Sequence, residues 1–122
     1  MDKKSLSERD ICTKFITPAL VAAGWDIQNQ VREQFHFTKG RVIVRGKTVK
    51  RGDAKFADYI LYHKPNIPLA VIEAKDNNHS VGAGMQLAIG YADNKALDLP
   101  FAFSSNGDSF LLHDFTGTFG KV

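Results

Sequence analysis

Apolar and polar positions along this 122-residue chain follow two different periods, and the change from one to the other predicts the order of its elements. Near the start, Ile11, Phe15, Leu20 and Ala23 recur at roughly helical spacing. They follow two hydroxyl residues with an acid three places on, Ser5 with Glu8 and Ser7 with Asp10, the spacing of a capping box. A first helix is therefore expected from near residue 7. Pro18 interrupts it, as a kink or as the start of a second short helix, and Gly24 before Trp25 supplies a stop. From Ile27 onward alternation takes over. Gln34, His36 and Thr38 interleave with Phe35 and Phe37, and Val42, Ile43 and Val44 lie between basic residues; both read as strand. Gly40, Gly46 and Gly52 punctuate this region and predict a short hairpin or an extended β-arm.

Residues 57–62 and 68–74 read as two further strands, joined by a turn over residues 63–67 in which Pro65 and Asn66 carry the turn chemistry. Gly82 and Gly84 precede a second helix expected over residues 85–97. Pro100 then opens a strand to Ser104, and Asn106-Gly107 turns into a last strand over residues 110–115. Helix, strands, helix, strands, with no repeat and no linker, predict a single α/β domain over residues 1–122 with a central mixed β-sheet flanked by helices. With 43% hydrophobic residues the chain can fill one core, and it is too short for two ordinary domains.

Composition narrows the function classes. Lys and Arg (16) exceed Asp and Glu (13) by three, a surplus too small to identify a partner. Its distribution says more: Lys39, Arg41, Arg45, Lys47, Lys50, Arg51 and Lys55 share one segment with Asp53 as its single acid. The polar opening residues and the lack of an apolar run near the roughly 18 residues of a membrane span argue against a signal peptide and a transmembrane helix. The single cysteine, Cys12, excludes an internal disulfide and a multi-cysteine zinc site, in keeping with a reducing cytoplasmic location, and reads as helix packing. His36, His63, His79 and His113 are scattered without metal-ligand spacing.

A constellation with chemistry appears when the hairpin is closed. A loop symmetric about Pro65 and Asn66 puts Tyr62 opposite Leu69 and Asp58 opposite Glu73. Facing Cβ atoms lie about 4.5 to 5.5 Å apart, so two like charges there are destabilising unless something lies between them. A divalent cation supplies that compensation. Strand alternation puts Lys75 on the face of Glu73, while Ala74 turns away and offers its backbone carbonyl. Two carboxylates and a carbonyl are hard oxygen ligands suited to Mg²⁺, and the set suits phosphodiester hydrolysis, with Lys75 orienting or deprotonating water. The plainer alternative is an exposed cross-strand ion pair. Against it, Glu73 follows the apolar run of Leu69, Ala70, Val71 and Ile72, which reads as a strand buried on both faces. A one-residue slip in register would send Asp58 and Glu73 to opposite faces.

Asp58, fourteen intervening residues, then Glu73-Ala74-Lys75 resembles the PD-(D/E)xK nuclease motif. With Gln86, Tyr91-Ala92, the stretch from Pro100 to Gly107 and the opening from Ser7 to Trp25, nearly the whole chain resembles the amino-terminal nuclease domain of type I restriction enzyme R subunits. The resemblance implies a restriction-endonuclease-like core, metal binding by Asp58 and Glu73, a catalytic Lys75 and an accessory acid at Glu8, which could equally be a capping residue. Ala57 replaces the motif proline. Gln86 stands at the family's accessory glutamine, but Tyr91 lies five positions on where the family spaces the two by four, so Tyr91 reads as packing. The resemblance also implies double-stranded DNA as substrate, and the motor domains of the same subunit and the modification and specificity subunits as partners. ATP would serve only motor domains, of which this chain carries none.

Other signals carry competing readings. The basic segment from Lys39 to Lys55 is either a DNA phosphate tracker or a solvated edge hairpin. The Gly46-Lys47-Thr48 ending does not make a phosphate loop, because five residues separate Gly40 from Gly46 where four are required. Gly82-Ala83-Gly84 offers N–H groups to a phosphate or is simply flexible. Asp53 is a rival for Asp58. Besides a Mg²⁺-dependent endonuclease, the sequence admits a catalytically inactive nuclease-like DNA- or subunit-binding domain and a structure-specific repair nuclease. Joint presence of Asp58, Glu73 and Lys75 argues against the inactive form.

Overall fold

The computed structural model describes residues 2–38, 43–45, 48–50, 54–93 and 96–117. Its first helix begins where the sequence places it. Ser7 caps α1 (Glu8–Ile11) in a capping box with Asp10, while Ser5 instead donates its hydroxyl to the Asp2 carbonyl at the end of a short 3₁₀ turn, Lys3–Ser5. The helical path continues through a wider π-helical turn, Cys12–Ile16, into α2 (Thr17–Ala22). Pro18 sits in the first turn of α2. It has no N–H and its ring crowds the preceding turn, and the wider turn before it makes room for that ring without ending the helix. Gly24, at φ 98°, closes α2; Trp25 N–H donates to Leu20 O and Gly24 N–H to Val21 O. That pair of bonds is a Schellman ending.

The main sheet has five strands in the order β1-β4-β5-β6-β7: β1 (Val31–Thr38), β4 (Ala54–Lys64), β5 (Ile67–Ala74), β6 (Phe101–Ser105) and β7 (Phe110–Asp114). Every neighbouring pair is antiparallel except β5 with β6, which are parallel and joined by α3 (Met85–Ala92). The sheet is mixed, as expected. The helix, however, ends at Ala92 and not near residue 97. Asp93 turns out at ψ 148°, and the Tyr91, Ala92 and Asp93 carbonyls accept from Leu97, Leu99 and Asp98 in a loop that folds back on the helix end. In the basic region, β2 (Ile43–Arg45) and β3 (Thr48–Lys50) form a separate antiparallel pair. Arg45 and Lys50 belong to those two strands and Lys55 is half-buried on β4. Lys39, Arg41, Lys47, Arg51 and the rival acid Asp53 lie outside the described residues.

The β4–β5 hairpin is tighter than its sequence implies. Only Pro65 and Asn66 turn, Asn66 at φ 70°, and Tyr62 pairs with Pro68 and not with Leu69. Pro68 has no N–H to give a ladder, so the irregularity falls there. Beyond it the expected register holds: Leu61 with Ala70, Ile60 with Val71 and Tyr59 with Ile72.

Two cores sandwich the sheet. Ile11, Cys12, Ile16 and Leu20 pack on Tyr59, Leu61, Ala70 and Ile72, while Ala88, Tyr91 and Ala92 of α3 pack on Ala57, Ile60, Val71 and Ala102. Strand β5 lies between them and is buried on both faces, which its unbroken apolar run requires. Tyr59 keeps its buried hydroxyl satisfied by donating to Cys12 O (3.1 Å) beside Thr17 Oγ1 (2.8 Å). Burial also raises the Cys12 thiol pKa to about 11, so Cys12 is packing and not a nucleophile. Ile16→Ala, at a fully buried position, is expected to lower unfolding free energy by about 2–5 kcal/mol. Val21→Ala, at 54% exposure, is expected to shift it by less than about 0.5 kcal/mol, both read by denaturant unfolding.

Candidate active site

The last backbone pair at this end of the β4–β5 ladder is Tyr59 with Ile72, and the next two positions on the same register are Asp58 and Glu73. Here side chains replace the ladder. Asp58 N–H donates to Glu73 Oε2 (2.9 Å) and Ala74 N–H donates to Asp58 Oδ2 (2.8 Å). Each carboxyl therefore crosses to the other strand's backbone, and the two groups stand within hydrogen-bonding reach of each other. Glu73 is 2% exposed and Asp58 half-buried. Burial first, and the charge of Asp58 second, push the Glu73 carboxyl well above the ordinary carboxylate range. Two carboxylates this close resist double ionisation, and a shared proton or a cation relieves them.

The donor set fits a hard divalent cation. Each carboxyl gives one oxygen to a backbone N–H and keeps its second, and an extended residue points its N–H and C=O to the same side, so the Ala74 carbonyl faces the β4 side with the Ala74 N–H. Among the described residues no third His, Cys, Asp or Glu completes a protein-only metal cluster.

Lys75 leaves β5 with its N–H donating to Ser105 O (2.9 Å) and is half-buried. Glu8 opens α1. Its carboxyl is raised by partial burial and then by Asp58, and lowered by Lys75, so the start of α1 comes into electrostatic reach of the strand cluster. Because Asp10 fills the capping box, Glu8 is released from that duty. Gln86 is exposed in the first turn of α3. Tyr91 is buried and meets Phe37 edge-on at 4.9 Å, the packing role its spacing predicts.

Several residues around the cluster escape a sequence reading. Ser104 pairs with Glu73 in the parallel ladder; its buried hydroxyl donates to Val81 O (2.7 Å) and accepts from Gly84 N–H (3.0 Å). The N–H groups of Ala83 and Gly84 are engaged within the protein, by Ser80 O and Ser104 Oγ, which takes two of the donors that the glycine stretch offers to a phosphate. Gly84 is needed for close approach instead: a Cβ there would lie 3.0 Å from Ser104 Oγ and 3.3 Å from Glu73 O. The visible signal was the polar run Ser104-Ser105-Asn106 ending an apolar strand. Gln34 holds φ 51° within β1, at the position across from Asp58 where the β1–β4 pairing is interrupted. A non-glycine residue there is strained, and such strain concentrates near functional sites.

The raised Glu73 pKa makes stability depend on pH. A carboxyl whose folded pKa exceeds its unfolded value stabilises the fold below the unfolded value, ordinarily near 4.5, and that contribution is lost as pH rises. In EDTA the protein is therefore expected to lose stability as pH rises from the unfolded value toward the folded pKa of about 9, and Glu73→Gln to flatten that slope, read as melting temperature against pH. Gly84→Ala is expected to destabilise by about 1–3 kcal/mol through overpacking against Ser104 and Glu73, measured by denaturant unfolding.

No family model matches the chain. Its sequence is 50% identical over 121 residues to the type I restriction enzyme EcoAI endonuclease subunit of Escherichia coli; the match covers 99% of this chain and 15% of that protein. A solved fragment described as an HsdR subunit of a type I restriction enzyme from Vibrio vulnificus superposes with a TM-score of 0.74 at 45% identity, covering 91% of this chain and 21% of that one. The chain thus spans about a fifth or less of the length of these relatives. The five-stranded mixed sheet with flanking helices matches that fragment and is the α/β, restriction-endonuclease-like architecture expected from the sequence. Over nearly its whole length, this chain is a homologue of one segment of the endonuclease (HsdR) subunit of type I restriction enzymes.

Proposed function

We propose that the chain is a Mg²⁺-dependent endonuclease domain that hydrolyses phosphodiester bonds of double-stranded DNA, as the cleavage module of a type I restriction-modification enzyme. The observation that carries this reading is the reciprocal bonding of Asp58 and Glu73 at the end of a buried strand, with Lys75 the residue that follows that strand. Two carboxyls held together at this depth are an unfavourable arrangement unless a cation or proton joins them. The description of the Escherichia coli relative as an endonuclease subunit supports the reaction class.

In this reading Asp58, Glu73 and the Ala74 carbonyl would hold the ion. The ion supplies charge neutralisation at the phosphate and acidification of water. Lys75 orients the attacking water and offsets negative charge gathering on the phosphate oxygens. Glu8 is the accessory acid, accepting a hydrogen bond from water at the rim, and Gln86 is an accessory amide on α3. Lys39, Arg41, Arg45, Lys47, Lys50, Arg51 and Lys55 bind backbone phosphates and give the affinity its salt dependence. The modification and specificity subunits and the motor domains of the same subunit are the partners, with ATP consumed by those motor domains. A cytoplasmic location accompanies this role; among the described residues no helix is long and apolar enough to cross a membrane.

Plasmid nicking with Mg²⁺ or EDTA tests the reading. Wild type with Mg²⁺ is expected to nick, EDTA to abolish nicking, and Asp58→Ala and Lys75→Ala each to reduce it on the order of 100-fold or more. Undiminished nicking by both variants would remove Asp58 and Lys75 from the chemistry. Calorimetric titration with Mg²⁺ gives a second readout, in which Asp58→Ala loses binding and Lys75→Ala keeps it.

A further inference from the structure

The loop between Lys75 and α3 carries a histidine that the site described above does not use. His79 Nδ1 lies 3.0 Å from Asp76 Oδ1, and the same carboxylate oxygen accepts the Asn78 N–H (3.0 Å). The loop is unusually well tied for a surface segment. His79 N–H donates to Asp76 O (3.1 Å), and His79 O accepts from Asn106 Nδ2 (2.7 Å). Asn106 is itself fixed through its carbonyl, which accepts from buried Asn77 Nδ2 (2.9 Å). On the other side Asn78 Nδ2 donates to Lys4 O (2.9 Å), tying the loop to the turn just before α1.

These bonds fix the backbone of an imidazole that stays 52% exposed. Asp76 holds one ring nitrogen, so the ring orientation is set and Nε2 is the free edge, the arrangement by which a carboxylate prepares a histidine to meet a ligand. The position is also apt. Asp76 directly follows Lys75, and Asn78 ties the same loop to Lys4 just before the helix that Glu8 opens, so the dyad lies at the rim between Lys75 and the start of α1.

We infer that His79, oriented by Asp76, is a further substrate-contacting residue of this site: with the ring protonated between the Asp76 carboxylate and a bound phosphate, Nδ1–H stays on Asp76 and Nε2–H donates to a backbone phosphate of the bound strand. This rests on the nuclease reading above. A charged donor on a pre-set ring forms a short, directional bond to a phosphate oxygen, and little rotamer freedom remains to be lost when it does. The neighbouring acids Glu8 and Asp76 repel a strand approaching without a cation, which gives a donor at this rim a steering role as well.

The test measures binding of a short fluorescently labelled DNA duplex in Ca²⁺, an ion with the same preference for oxygen ligands, alongside ¹⁵N NMR of the histidine rings. His79→Ala is expected to weaken binding about tenfold, the loss of one charge-assisted hydrogen bond. His79→Gln, which keeps a donor, should recover part of that loss. His113→Ala, on exposed β7, should leave binding unchanged. In wild type the His79 Nε2 resonance should move on adding duplex. Binding by His79→Ala equal to wild type overturns the inference, and so does weakened binding with a stationary His79 resonance, which marks a purely structural effect. Failure of wild type itself to bind duplex would instead overturn the DNA reading, and this inference with it.

Discussion

Two acids that must lie side by side where water is scarce dictate how this end of the sheet is built. Glu73 terminates a strand covered on both faces, and Asp58 is presented to it by the neighbouring antiparallel strand. Removing a carboxylate from water is expensive unless hydrogen bonds replace the lost hydration. The protein meets this by giving up regular pairing at that point, so each carboxyl takes a backbone N–H from the opposite strand. What these bonds leave is mutual repulsion between two ionised carboxylates, which a proton held by buried Glu73 relieves.

The surroundings follow from holding that pair still. Strand β6 runs parallel to β5, so Ser104 stands beside Glu73 and Ser105 beside Ala74. Ser104 then pins the entrance of α3 through Gly84, which has no side chain to keep the helix away. Lys3 clasps the turn after β6, bonding Gly107 O and Asp108 at 2.8 Å each, while its ammonium lies over the Phe15 ring. The amino-terminal residues thus brace both the β6–β7 turn and the loop bearing His79, and they bring Glu8 to the rim. An exposed salt bridge such as Lys3 with Asp108 contributes little by itself. Its value lies in geometry, because it belongs to a network whose members orient one another.

Much of the architecture was legible because local rules agreed with the final packing. The Ser7–Asp10 cap, the Gly24 stop, the doubly buried β5 and the Asn106-Gly107 turn each depend on a few adjacent residues, and each formed. The structure departs from that pattern where backbone hydrogen bonding, which side-chain periodicity does not report, set an element's end. The loop after Ala92 folds its N–H groups back onto the carbonyls of α3, ending the helix where sequence periodicity would prolong it. Near the turn, Pro68 and Asn66 shortened the hairpin loop, yet the pairing at Tyr59, Ile60 and Leu61 was unchanged. Register far from a turn is set by which face is apolar, and that pattern tolerates an irregularity near the loop.

The candidate site divides along the same line. Asp58, Glu73, Ala74 and Lys75 were nameable from sequence because strand alternation and a symmetric turn need only local spacing. Sequence also released Tyr91 to packing, since five positions carry it around the helix from Gln86. Only the tertiary structure decided that Glu8 approaches Asp58 across the fold, that Ser104 and Gly84 lock together beneath α3, and that Asp76 holds His79 at the same rim. The first two relations join residues 20 to 50 positions apart, and Asp76 with His79, three apart, reaches the rim through the bond from Asn78 to Lys4. Periodicity along a chain records which face a residue occupies; it carries no record of what the folded chain will bring against that face.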